Sequence, residues 1–418
     1  MNETFIQNWK AAMPQLRSAN PVERAKATTQ TIQKNAAIDR KNQESVVNNT
    51  FKTDDNGTRY GVGTDGKTYS YNTWNNKVVD MRPLTSAEQR DAISRFSGGN
   101  ISVDNRIKNN ESLTNILQSV VRLYDQGGSL VPGPTNITDL YEGGVYSTWG
   151  PLGETTVPKR ATTKTEPVLI KFKGLSVPWA VQDDIDTSSR SGWSSSEKHT
   201  NEHVPTHELA HATQASSMSK LQNWYNAQAK EAEKYKGKLP ATALWAKTTS
   251  GLTGIDYPES TTVEEKIKDR AQDKMQQWQN ELKEKYGVFG INGLFKIAAK
   301  NAGFESVDEA AKTVSRYASS SLSGLDADRG RYPEVFAEAY TDVLLDGDDA
   351  KPFSKELIRL FSDYAADMDT KTGETAKKRV SEMRKLLNAL PEFSTNNSLT
   401  VPEKVNAFTR NYRLTSNR

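Results

Sequence analysis

The sequence predicts an α+β protein that is mainly helical, with few strands. Three observations carry this. After residue 200, apolar residues recur at spacings of three and four through most of the chain. Two stretches instead read as strands: 51–83, rich in Tyr, Val and Thr between turn signals, and the short apolar run 166–172. Helix start and stop signals bracket the longest one-sided segment, 262–286. At 418 residues the chain is long enough for more than one domain. Gly127-Gly128, followed by Pro132-Gly133-Pro134, marks the expected boundary. The reading is a separate α+β module at 1–130 and a second, mostly helical domain at 131–418.

Taken in order, Ile6, Trp9, Met13 and Leu16 share one face of a short amphipathic helix. Residues 22–50 hold few large apolar side chains, which fits a solvated helix or an arm that orders on a partner. Turn signals at 54–57 and 65–66 separate strand-like runs at 59–62, 68–74 and 77–81, a small meander. Ser86 is expected to cap a helix ending at Ser97-Gly98-Gly99. A helix over 104–125 follows, with Leu113, Leu117, Val120 and Tyr124 on one side.

In the second domain, 166–172 (EPVLIKF) is the strongest strand signal, and Pro167 stands at its start, where a strand tolerates proline. Residues 183–202 read as a polar loop. In 262–286, Thr262 and Glu265 fit a capping box and Gly287 a helix stop. Val263, Ile267, Ala271, Met275, Trp278, Leu282 and Tyr286 form a narrow stripe, which packs on one neighbour and not into a broad core. Leu221, Trp224, Gln228, Ala232 and Tyr235 offer the partner stripe, so a helical hairpin is expected within 217–287. Two further helices are expected at 353–368 and 374–390.

Composition narrows the chemistry. With no cysteine, disulfides, thiolate metal sites and a cysteine nucleophile are excluded. Fifty-five basic against 52 acidic residues leave a net charge of +3, too little to draw the chain to nucleic acid. No apolar run reaches the roughly 18 residues that a membrane span needs. Residues 1–10 (MNETFIQNWK) lack the apolar core of a signal peptide, so the expectation is cytoplasmic synthesis outside the general secretory route.

The only four histidines are His199, His203, His207 and His211. His207-Glu208-Leu209-Ala210-His211 is an HExxH motif. Residues i and i+4 lie on one face of a helix, so two imidazoles can share one metal ion. Zinc suits neutral imidazoles plus a carboxylate. Glu208 sits where it can take a proton from an attacking water. Against this stands the plain alternative of two helical histidines with ordinary hydrogen bonds. Strict spacing of four suggests a four-histidine ladder, which would be a closed structural site. Pro205 argues against it, because proline favours the first helical position. The helix is therefore expected to begin near Val204 or Pro205, leaving His199 and His203 in a loop, lining the cleft or merely on the surface.

A catalytic zinc takes three protein ligands. No histidine follows His211, and Gln214 and Ser217 stand where a third-histidine motif needs Gly and His. The third ligand is then an acid. Pro333 marks a helix start, and Glu334, Glu338 and Asp342 share a face of that helix beside Val335, Phe336, Ala339 and Val343. They read either as a solvated helix edge or as functional acids. On the functional reading Glu334 ligates zinc and Glu338 accepts the free ring N–H of a ligand histidine. Asp342 either does similar work or faces water.

HELAH, then Ser315-Arg316-Tyr317-Ala318, then EVFAEAY from Glu334, resembles the gluzincin peptidases, and within them the catalytic domain of anthrax lethal factor and its phage-encoded relatives. The resemblance covers about residues 165–370. It implies a zincin-like metallopeptidase domain, with a small sheet over the HExxH helix and one Zn2+. It implies His207, His211 and Glu334 as metal ligands, Glu208 as general base and Glu338 as support for a ligand histidine. It also implies Tyr317 as the phenol that stabilises the oxyanion, with Tyr332 as the alternative. The separation of 123 positions from His211 to Glu334 exceeds the compact family pattern, and residues 319–331 (SSSLSGLDADRGR) are an insertion. The implied partner is a peptide or protein substrate. Residues 1–130 would then dock the enzyme to a larger assembly such as a virion. The competing classes are a virion-associated structural protein that keeps the domain, and a toxin or effector protease delivered by a specialised export route.

Overall fold

The computed structural model describes residues 3–139, 153–157, 167–172, 187, 190–195, 200–237, 262–287, 291–322 and 332–388. They are mixed α and β, mainly helical, and form two compact units.

The first unit comprises Met1–Lys159, Glu166–Ser216 and Phe295–Arg359. Helices α1 (Glu3–Leu16) and α2 (Pro21–Asn48) open it, and Asn20 caps the second. Residues 22–50 are thus helix for most of their length. The meander follows as β1 (Thr50–Thr53), β2 (Arg59–Val62), β3 (Thr68–Trp74) and β4 (Lys77–Pro83), paired antiparallel in that order. The β3–β4 hairpin turns through Asn75 and Asn76 at φ 49° and 58°, the left-handed pair that a two-residue turn needs.

Helix α3 (Ser86–Phe96) begins one residue earlier than its expected cap allows. Thr85, not Ser86, is the cap, and with Glu88 it completes a capping box. The expected 104–125 helix is instead α4 (Asn110–Gln126), capped by Asn109. Ahead of it, Ile101–Val103 is a strand, β5, that the sequence reading missed.

Strand β5 pairs parallel with β6 (Thr135–Asp139), which pairs parallel with β8 (Val168–Phe172). β8 pairs antiparallel with β7 (Gly153–Thr156). Ile101, Ile137 and Ile170 are buried in this sheet. The boundary expected near residue 130 therefore falls inside a β5–α4–β6 crossover, which cannot be divided without opening the sheet. Gly127-Gly128 and the Pro-Gly-Pro segment are a tight connection, not a linker. Leu113, Ile116, Leu117 and Val120 bury the core face of α4, which packs against α3.

The unit closes with α-helices at Leu294–Asn301, Val307–Val314, Arg316–Ser320 and Pro333–Asp346. The last of these starts at Pro333, as its sequence predicts. It also packs against α4, and Tyr340 donates its hydroxyl to Leu130 O at 2.5 Å.

The second unit comprises Arg160–Thr165, Ser217–Leu294 and Leu360–Arg418. The expected hairpin is here. The helix Val263–Tyr286 carries the Thr262–Glu265 capping box and ends at Gly287 with φ 69°, the left-handed stop that glycine adopts without strain. Trp278 meets Trp224 with ring centroids 4.7 Å apart, and Val263 packs with Tyr235. Ion pairs Lys285–Asp367, Lys371–Glu281 and Lys220–Asp369 fasten residues 367–371 to both arms. Those residues belong to one helix, Pro352–Asn388, where two were expected. Gly373 does not break it, since an interior glycine costs only about 1 kcal/mol.

No described helix is long and apolar enough to cross a membrane.

Candidate metal centre

The HELAH motif lies on the helix Thr200–Glu233, which starts earlier than expected and keeps Pro205 inside it. Proline there forfeits the bond to the Asn201 carbonyl. Tertiary contacts hold the first turn in place. Arg122 pairs with Glu202 at 3.1 Å, Ser119 donates to Glu202 O at 3.4 Å, and Thr206 donates to Ser119 at 3.0 Å. His203 is consequently neither in a loop nor on the surface. It is buried one turn before His207 on the same helix. His199 lies outside the described residues.

His207, His211 and Glu334 come together. Glu334 Oε2 lies 3.1 Å from His207 Nε2 and 3.2 Å from His211 Nε2, and the two nitrogens are 3.2 Å apart. Tetrahedral ligands about 2 Å from a shared ion stand about 3.3 Å from one another. The triangle therefore fits one small metal ion.

The ionisable groups of the triangle shift one another strongly. Burial alone would raise the Glu334 carboxyl, but the two imidazoles outweigh it and hold the group well below the usual carboxylate range. Burial opposes charge on His207, yet Glu334 and Glu338 raise its pKa well above the ordinary imidazole value. Glu338 is 1% exposed, and its Oε1 lies 2.7 Å from His207 Nδ1, on the far side of the ring from Nε2. Burial pushes it up, but His203 and His207 more than offset that and keep it low.

Tyr317 stands over the same corner. Its ring centroid is 5.7 Å from that of His207 and its hydroxyl hydrogen-bonds the Glu334 carboxylate. Burial, then the negative charge of Glu334 and Glu208, push the phenol up and keep it protonated. Two backbone bonds set its position: Arg316 N donates to Gly192 O at 3.0 Å and Tyr317 N to Trp193 O at 3.1 Å. Tyr332 sits elsewhere, edge-on to Phe295 at 5.1 Å and at the cap of the Pro333–Asp346 helix. Asp342 does not face water. It is fully buried and accepts from Lys351 N at 2.9 Å and Lys351 Nζ at 3.0 Å.

Glu208 is enclosed by residues that no motif announces. Thr155 on β7 donates to Glu208 Oε2 at 2.5 Å. A Cβ built on Gly153 would lie 2.5 Å from Glu208 Oε1 and 2.6 Å from its Cγ. Only glycine lets β7 come this close to the carboxylate. Gly153→Ala is expected to displace Glu208 or β7 and to lower the melting temperature of the chain, read by a thermal melt. An unchanged melting temperature would show that the approach is unimportant.

Of the residues singled out in the sequence, His207, His211 and Glu334 converge, Glu208 stands beside them on the same helix, and Glu338 and Tyr317 lie against His207. The sequence reading missed Gly153, Thr155, Ser195 and Lys351, which reach the site through strand pairing and long-range contacts. No protein-family model matches the chain, and neither a curated protein nor a solved structure matches it.

Proposed function

We propose that the chain is a zinc-dependent metallopeptidase. The observation that carries the reading is the His207–His211–Glu334 triangle with Glu208 beside it on the same helix. Two imidazoles and one carboxylate that leave a position open are the donor set of a catalytic zinc. When bound there, zinc polarises a carbonyl and makes a water molecule acidic enough to be deprotonated near neutral pH.

The chain's own groups do the rest. Glu208 accepts the proton of the attacking water and returns it to the leaving amine. Thr155 holds the Glu208 carboxylate in one orientation. Tyr317, kept protonated, donates its O–H to the oxygen on which negative charge develops. Glu338 faces the Nδ1 side of His207 and favours the tautomer that leaves Nε2 free to coordinate.

One feature favours a peptide over other substrates with a hydrolysable carbonyl. Among the described residues β7 is an edge strand, and it runs beside Glu208. An extended peptide can pair its main chain with such an edge, which brings a backbone carbonyl to the metal.

Elemental analysis of the purified chain is expected to find one zinc per molecule. A zinc chelator should abolish cleavage of a mixed peptide library, read by mass spectrometry, and added zinc should restore it. Zinc bound without cleavage of any peptide would make the chain a metal-binding interaction protein. Absence of bound metal would overturn the reading altogether.

A further inference from the structure

We infer that His203 is a positioning residue for the metal centre, holding Glu338 against the ligand His207. The inference rests on the metallopeptidase reading, because it concerns how that site is kept in shape.

The observation is a shared carboxylate oxygen. Glu338 Oε1 lies 2.7 Å from His207 Nδ1 and 3.4 Å from His203 Nε2. The two imidazoles are one helical turn apart, with centroids 6.0 Å apart and planes 25° from parallel. Glu338 is 1% exposed and His203 7%. A buried carboxylate costs several kcal/mol unless it is paired. Among the described residues, these two rings are the ionisable partners within reach of Glu338. One of them is committed to the metal through its Nε2. His203 is therefore the contact that fixes Glu338 independently of the ion.

His203 is itself held from outside its helix. Ser195 Oγ lies 3.4 Å from its Nε2. The Ser195 carbonyl accepts from Lys351 Nζ, which also donates to the buried Asp342. Asp342 is on the same helix as Glu338, one turn further along. The contacts thus form a closed loop: Glu338 to His203, Ser195, Lys351, Asp342, and back along the Pro333–Asp346 helix. A loop anchored on that helix at both ends resists rotation of Glu338 away from His207. Removing His203 opens it at the carboxylate.

The mechanism does not need His203 to touch substrate or metal. Its contribution is to the orientation of the His207 ring, hence to the affinity of the triangle for the ion. Outer partners of ligand histidines typically contribute 10–100-fold to metal affinity.

The test is zinc affinity of the full-length chain, measured by competition with a chromophoric chelator, for wild type, His203→Leu and His203→Gln. Leucine fills similar space without a polar atom, whereas the glutamine amide keeps a polar N–H group on the side that faces Glu338. Expected results are a loss of at least tenfold for His203→Leu and recovery to within about threefold of wild type for His203→Gln. The Glu338→Gln variant should lose affinity comparably, and adding His203→Leu to it should cost little more. A wild-type affinity in His203→Leu would overturn the inference while the metal reading stands. So would equal losses in both His203 variants, or additive losses in the double variant, since either means that His203 only fills space. Failure of the wild type to bind zinc would instead sink the reading beneath it.

Discussion

Glu208→Gln is expected to lower kcat for peptide hydrolysis by about a thousandfold, within the range that general-base groups contribute, and to leave zinc content unchanged. The substitution keeps the shape of the side chain. A glutamine can still accept the Thr155 hydroxyl that now bonds Oε2, and it still fits beneath Gly153. What it loses is the ability to take a proton from water. Glu208 is not one of the three converging donors, so the triangle should hold its ion as before. Steady-state kinetics and elemental analysis on the same preparation read both quantities. Full hydrolysis by the variant would remove Glu208 from the mechanism. Loss of zinc would mean that Glu208 holds the fold of the site and that its chemical role had not been measured.

What could be read from the sequence divides by the range of the forces involved. The helix Val263–Tyr286 was legible to the residue because a capping box and a terminal glycine are local devices. The convergence of His207 and His211 was legible because i and i+4 must share a helix face wherever that helix packs. Glu334 followed from scarcity: with no histidine after His211, the third donor had to be an acid.

Pro205 shows where local rules fail. Its preference for a helix start was outweighed by tertiary contacts at Glu202, His203 and Thr206, each drawing the first turn into the core. With the helix start displaced, His203 was misplaced too, and its contact with Glu338 went unseen. Gly153 and Thr155 had no readable signal. Their relation to Glu208 exists only because β7 pairs with β8 and passes over the helix, and a four-residue GETT strand carries almost no periodicity. β5 is a similar case, three residues whose strand character comes from β6. The same pairing removed the expected division near 130, because the module boundary was read from glycines and prolines that serve a tight crossover.

Glu334→Ala is expected to reduce zinc in the purified protein from one equivalent to near none, with hydrolysis lost in proportion. Glu338→Ala should retain zinc with an affinity lowered by roughly 10–100-fold. The order of the two effects is the point. Both acids lie on one helix four residues apart, both are held as carboxylates by imidazoles, and both contact His207. Charge and sequence spacing alone do not tell them apart; position does. Glu334 Oε2 meets His207 on Nε2, the nitrogen that also faces His211, at 3.1 Å. Glu338 Oε1 meets the same ring on Nδ1 at 2.7 Å, the opposite side. An ion shared by the two imidazoles is therefore within reach of Glu334, while the body of the His207 ring separates it from Glu338. If Glu338→Ala emptied the site while Glu334→Ala kept its zinc, the ring would have to be turned over and the ligand moved one helical turn onward. Chelator competition on both variants, run beside a thermal melt of each metal-free chain, separates that outcome from simple unfolding.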